Sequence, residues 1–273
     1  MTIKQAILTN NPCYKTEGNR SRTKGLFLHS VGCAQPSAEA FVKNWNSASY
    51  NRACVHGFID ANTGVVYQTL PWDHIGWHAG MKEGNLYYVG VEMCESAYIK
   101  YTGGSSFTIQ TGKKKAAQAD AKRAYNAAVE LFAMLCTKYS LDPLKSIVSH
   151  SEGHKLGIAS NHADPEHYWK GLGLTYSMDG FRKAVKKAMG TPIKPTPAPA
   201  PVSGFPYMVK VQEILNVRKG PGVSNPVLQV ISDYGAYTIV DEQKTSDGAT
   251  WGLLKAYEKG RNGWINLYYT KRV

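Results

Sequence analysis

Two apolar runs more than a hundred residues apart each stop on a histidine. One is Gly25-Leu26-Phe27-Leu28-His29-Ser30; the other is Ser146-Ile147-Val148-Ser149-His150-Ser151. Fourteen residues after His150 comes Asp164, within Asn161-His162-Ala163-Asp164-Pro165. Two imidazoles and one carboxylate form a hydrolytic zinc ligand set that keeps a fourth position for water. Buried strands deliver active-site side chains where they end, at the sheet edge. His29, His150 and Asp164 are therefore the candidate metal ligands, with zinc inferred from the ligand types. His154 competes with His150, but it follows Glu152-Gly153 in a loop rather than an apolar strand. No HExxH motif is present, so the site must be assembled from distant strands.

The elements that position these residues alternate in type. Ser37 can cap a helix reaching about Asn46, with Phe41, Val42 and Trp45 on one face. Cys54 to Asp60 and Val65 to Leu70 flank Ala61-Asn62-Thr63-Gly64, a hairpin with turn chemistry in its loop. Tyr87 to Met93 reads as a strand. Lys115 to Tyr139 reads as the longest helix, with Tyr125, Val129, Phe132 and Cys136 at helical spacing. Pro143 prevents its continuation. Strand Ile147-Val148-Ser149 follows, and Gly180 to Met189 reads as a short basic helix. This is an α/β domain with a mixed central sheet flanked by helices.

The segment Thr191-Pro192-Ile193-Lys194-Pro195-Thr196-Pro197-Ala198-Pro199-Ala200-Pro201 holds five prolines in eleven residues. It reads as a polyproline II spacer and sets the domains: 1–190, a linker over 191–203, and 204–273. The last part has short β-rich runs (Val209 to Val217, Val227 to Ser232, Tyr237 to Asp241, Thr250 to Leu254, Gly263 to Leu267) punctuated by Gly, Asn, Asp and Pro. That texture predicts a small all-β barrel.

Taken in order, several segments resemble the zinc-dependent N-acetylmuramoyl-L-alanine amidases of the type 2, peptidoglycan-recognition-like fold. They are Phe27-Leu28-His29-Ser30, Val55-His56-Gly57-Phe58-Ile59-Asp60, Gly64-Val65-Val66-Tyr67-Gln68 and Trp77-His78-Ala79-Gly80. Val89-Gly90-Val91-Glu92-Met93, Val148-Ser149-His150 and His162-Ala163-Asp164-Pro165 complete the set, which spans about residues 20–170. The resemblance implies zinc on His29, His150 and Asp164, and Glu92 as the residue that activates water. A carboxylate on a central apolar strand is costly to bury without a role; the bland alternative is an ion pair with lysine. His162 takes the place where many relatives carry an oxyanion-stabilising lysine. A histidine donates there only in the right tautomer or when protonated. Trp77 and His78 are implied as a wall of the peptide groove, although Trp77 can equally anchor its loop to the core. Val55 stands where relatives often have tyrosine.

Leu215-Asn216-Val217-Arg218-Lys219-Gly220-Pro221-Gly222, with Trp251-Gly252-Leu253-Leu254 and Asn262-Gly263-Trp264-Ile265, resembles bacterial SH3-like domains. The implied role is binding to cell-wall peptidoglycan, with Tyr268 and Tyr269 as candidate contacts.

Composition bounds the rest. The net charge is +12 and both parts are basic, which favours an anionic partner such as a wall polymer. No nucleic-acid motif accompanies the charge, and no apolar run reaches transmembrane length. Five cysteines without a CxxC argue against a disulfide framework and for free, mostly buried thiols. The start lacks the apolar core of a signal peptide. These features together predict a phage endolysin, made in the host cytoplasm and acting on the wall after release. A bacterial autolysin, a noncatalytic recognition protein and a basic nucleic-acid-associated protein are the alternatives.

Overall fold

Alternation along one strand decides where the site lies. In Gly25–Ser30, Leu26 and Leu28 enter the main core, while Phe27 and His29 point to the opposite face. The computed structural model describes residues 1–190, 205–223, 225–245, 248–255 and 263–273. The chain divides into two compact units, Met1–Gly190 and Thr191–Val273. The proline-rich segment expected as a linker, 191–203, lies outside the described residues.

In the first unit the elements run β1 (Ile3–Gln5), α1 (Pro12–Thr16), β2 (Gly25–Ser30), α2 (Ala38–Trp45), β3 (Gly57–Ile59), β4 (Val66–Gln68), α3 (Lys82–Tyr87) and β5 (Tyr88–Met93). There follow β6 (Ile99–Gly103), β7 (Ser106–Ile109), α4 (Lys114–Tyr139), α5 (Pro143–Ser146), β8 (Ile147–Ser149), α6 (His150–Lys155), α7 (Glu166–Gly171) and α8 (Met178–Gly190). The central sheet has the order β1-β4-β3-β5-β2-β8. It is mixed: β3 and β4 are antiparallel, and β5, β2 and β8 run parallel. The expected hairpin is β3–β4, its turn held by Asp60, which accepts from the backbone N–H groups of Asn62 and Thr63.

Helices α4 and α8 pack together over the core face, α4 reaching β3 and β5. The buried stripe of α4 is Ala117, Ala121, Ala124, Ala128, Leu131 and Leu135. Phe132 and Cys136 lie inside as expected, whereas Tyr125 and Val129 sit at its margin. The β6–β7 hairpin forms a separate two-stranded sheet, and Phe107 on it packs against Tyr168 of α7.

In the second unit, seven strands form one antiparallel sheet: β9 (Tyr207–Val211), β10 (Leu215–Arg218), β11 (Val227–Ile231), β12 (Ala236–Lys244), β13 (Thr250–Leu254), β14 (Trp264–Asn266) and β15 (Thr270–Arg272). Their order is β11-β10-β14-β13-β12-β9-β15, an open sheet with β11 and β15 at its edges. The run expected from Val209 to Val217 is broken into two strands. Val217, Ile239 and Ile265 are fully buried at its centre, Trp251 is buried, and Trp264 is half-buried.

Candidate metal centre and active site

Sheet register brings the chemistry together. His29 on β2 lies opposite Glu92 on β5. On the other side β8 runs beside β2 and ends at Ser149, so His150 starts α6 next to His29. A capping box fixes that start: Ser149 Oγ accepts from the Glu152 N–H, and Glu152 accepts from the Ser149 N–H. Ser149 Oγ also donates to Glu166 Oε1 at 2.7 Å, tying α6 to α7 just beyond Asp164.

Ligand atoms of His29, His150 and Asp164 all lie within 4.8 Å of one another, and all three residues are buried. His29 Nδ1 is 3.2 Å from Asp164 Oδ2 and 3.1 Å from His150 Nδ1. His150 Nε2 faces Ser160 Oγ and His162 Nδ1, each at 3.1 Å. If His150 gives its Nδ1 lone pair to a metal, its Nε2 carries the proton and donates toward this pair. His162 Nδ1 then accepts, which leaves His162 Nε2 as its proton-bearing nitrogen.

Electrostatics agree with a cation at this point. Burial pulls His150 down to about 4, helped by His29, so its imidazole is neutral at neutral pH, as a ligand must be. Burial pushes Asp164 up, but its contacts with His29 and then His150 prevail and hold it below its ordinary value. Glu92 is raised well above the carboxylate range by burial, then by Asp164 and Glu95. Its Oε2 is buried without a partner among the described residues. Two imidazole nitrogens and one carboxylate facing one point are the donor set of a divalent metal, and the residues fit zinc.

A family model for N-acetylmuramoyl-L-alanine amidases (Amidase_2) matches residues 19–167, more than half of the chain. The chain belongs to that family. Among solved structures it is similar to the Staphylococcus aureus hydrolase AmiA in complex with its ligand. That match has 19% identity, covers 69% of this chain and 83% of that one, and has a TM-score of 0.52. The PlyG catalytic domain matches at 19% identity over 72% of this chain and 100% of its own, with a TM-score of 0.49. A mutant endolysin from Bacillus subtilis matches at 20% over 68% and 99%, with a TM-score of 0.43.

In this member of the family the sequence-selected residues separate into two groups. His29, His150, Asp164, Glu92 and the exposed His162 share one neighbourhood. Trp77 does not: it packs with Leu8, Cys13, Cys54 and Leu70, and its Nε1 donates to Glu17 Oε1 at 2.8 Å. It anchors its loop. His78, expected in a groove wall, is instead buried behind His29, with both ring nitrogens engaged. His154 is exposed and outside the cluster.

Sequence reasoning missed Glu95, which is fully buried beside the centre. Its Oε1 accepts from Ser30 Oγ at 2.7 Å and from the Gly32 N–H at 3.2 Å; its Oε2 accepts from the Tyr101 hydroxyl at 2.7 Å. The same hydroxyl meets His167 Nε2 at 2.7 Å. It also missed Asn85, whose Oδ1 accepts from the N–H groups of His78 and Ala79 at 2.9 and 2.8 Å. The signal available for that region was Gly90, a glycine inside an apolar strand, which marks a close approach.

Proposed function

We propose that the first unit is a zinc-dependent peptidoglycan hydrolase. It cuts the amide between the lactyl carbonyl of N-acetylmuramic acid and L-alanine. The observation that carries this is the convergence of His29 Nδ1, His150 Nδ1 and the Asp164 carboxylate beside Glu92. Zinc held by those atoms supplies Lewis-acid polarisation of the scissile carbonyl and acidifies a water. The charge of a bound zinc would draw Glu92 back to its carboxylate form, from which it takes a proton from the attacking water and returns it to the leaving amine. His162 donates from Nε2 to the developing oxyanion.

The second unit is a wall-binding module of bacterial SH3-like type, joined to the first by a proline-rich tether. Such a tether raises the local concentration of the catalytic unit at an insoluble wall. The whole is of the phage endolysin type. Its cysteines are free, four buried and Cys33 exposed, which suits synthesis in a reducing cytoplasm. Among the described residues no helix is long and apolar enough to cross a membrane.

The test is a zymogram on purified walls with and without chelator, alongside Glu92→Gln. Clearing that disappears with chelator and returns with zinc is expected. Glu92→Gln should keep its zinc and lose activity by about a hundredfold or more. Undiminished clearing by that variant removes Glu92 from the scheme, and undiminished clearing under chelator removes zinc.

A further inference from the structure

His78 is held from every side. Asn85 clamps its backbone from α3. Its ring lies over Gly90 of β5, where an added Cβ would sit closer than 3.0 Å to three ring atoms. Gly76 makes room at the ring edge, where a Cβ would lie 3.1 Å from His78 Cδ2. Phe27 meets the ring edge-on, with centroids 5.5 Å apart. So much fixing of one buried imidazole needs a reason, and the hydrogen-bond directions supply it.

The Tyr88 carbonyl can only accept, and it lies 3.1 Å from His78 Nε2. His78 Nε2 therefore carries the proton and donates. The ring is buried with only the Tyr88 carbonyl and His29 at its nitrogens and no carboxylate to pair with a charge, so it is neutral and Nδ1 is bare. That bare Nδ1 lies 3.1 Å from His29 Nε2. It accepts, so the His29 proton is on Nε2. The His29 Nδ1 lone pair then faces Asp164 and His150.

We propose that His78 is a positioning residue: its Nδ1 accepts the Nε2 proton of His29 and thereby turns the His29 Nδ1 lone pair onto the metal. The chain of command runs from a backbone carbonyl of β5 through one imidazole to the next. A partner on the second nitrogen of a ligating histidine fixes its tautomer and ring orientation and raises its basicity. This inference rests on the zinc reading above.

The test is zinc affinity of the full chain, measured by competition with a chromophoric chelator. His78→Phe fills the pocket but accepts nothing, and zinc affinity should fall by about 10- to 100-fold. His78→Asn places an amide oxygen where Nδ1 stood and should recover most of that loss, although it fills the pocket less well. A packing role predicts the reverse order. On the zinc-loaded wild-type chain, nitrogen-15 spectra of the histidine rings should show Nε2–H tautomers for both His29 and His78, a measurement that needs no variant to fold. The inference is overturned if His78→Phe binds zinc within about twofold of wild type, if Asn is no better than Phe, or if His29 carries its proton on Nδ1. A wild-type chain that takes up no zinc overturns the zinc reading and this inference with it. Wild-type uptake with unaffected variants overturns the inference alone.

Discussion

Three carboxyl groups share the neighbourhood of the candidate centre and respond to it differently. Asp164 is held below its ordinary range by His29 and His150, whereas Glu92 and Glu95 are raised, chiefly by burial. Glu95 moves from an ordinary 4.5 to about 7. A raised folded value means that the folded state keeps the proton better than the unfolded chain. The stability it contributes is therefore full below about 4.5 and is lost as pH rises through about 7. In the metal-free protein the unfolding free energy should fall across that window, with Glu95 accounting for up to about 3 kcal/mol. Urea unfolding at several pH values should show a flatter profile for Glu95→Gln; equal slopes would assign the effect elsewhere. At this scale the sequence was legible where a residue's local context carried its meaning. His29 and His150 stood out because each ends an apolar run. Glu95 was opaque because its partners, Ser30 and Tyr101, come from elements whose pairing no spacing reveals. His78 was read as a wall of the peptide groove, and only the strand beneath it shows that the ring goes inward.

Among the elements, α6 is the most exposed to a single change. Its capping box sets where the helix begins, and its first residue is His150. Its Gly153 lies against Phe27, where an added Cβ would come closer than 3.0 Å to two ring atoms, and Phe27 stacks on His29 with centroids 5.3 Å apart. Ser149→Ala removes the cap and strips Glu166 of its hydroxyl donor. The cap alone costs about 1 kcal/mol, and the half-buried Glu166 acceptor left without its donor adds about 1 kcal/mol. Thermal unfolding should register the loss, and zinc affinity should fall with it because His150 and Asp164 are held through this pair of helices. Elements with turn chemistry or long periodicity were readable in advance: the β3–β4 hairpin and α4 sit where they were expected. The buried face of α4 was misread because large side chains draw attention. Its alanines carry the packing, since small residues let the helix settle close on the sheet. The β6–β7 hairpin went unseen because its alternating face is only partly buried.

The molecule as a whole is two units, each with its own core. A chain ending at Gly190 should therefore still cleave soluble muropeptides at about the full-length rate. On intact walls it should lose activity by about 10- to 100-fold, the order expected of a tether that supplies effective concentration. Turnover on both substrates, with sedimentation on wall fragments, checks this; equal activity on walls would leave the second unit without a wall-binding role. The two-unit division was legible from the proline-rich composition, whereas the open strand order of the second unit depends on long-range pairing that its short runs do not encode. Within the first unit, His29 meets partners that lie 121 and 135 residues further along the polypeptide. A nascent chain on the ribosome thus displays its first imidazole long before the others are translated. The His29–His150–Asp164 cluster cannot form until Asp164 has left the exit tunnel, so these three side chains converge only after most of the first unit has been synthesised.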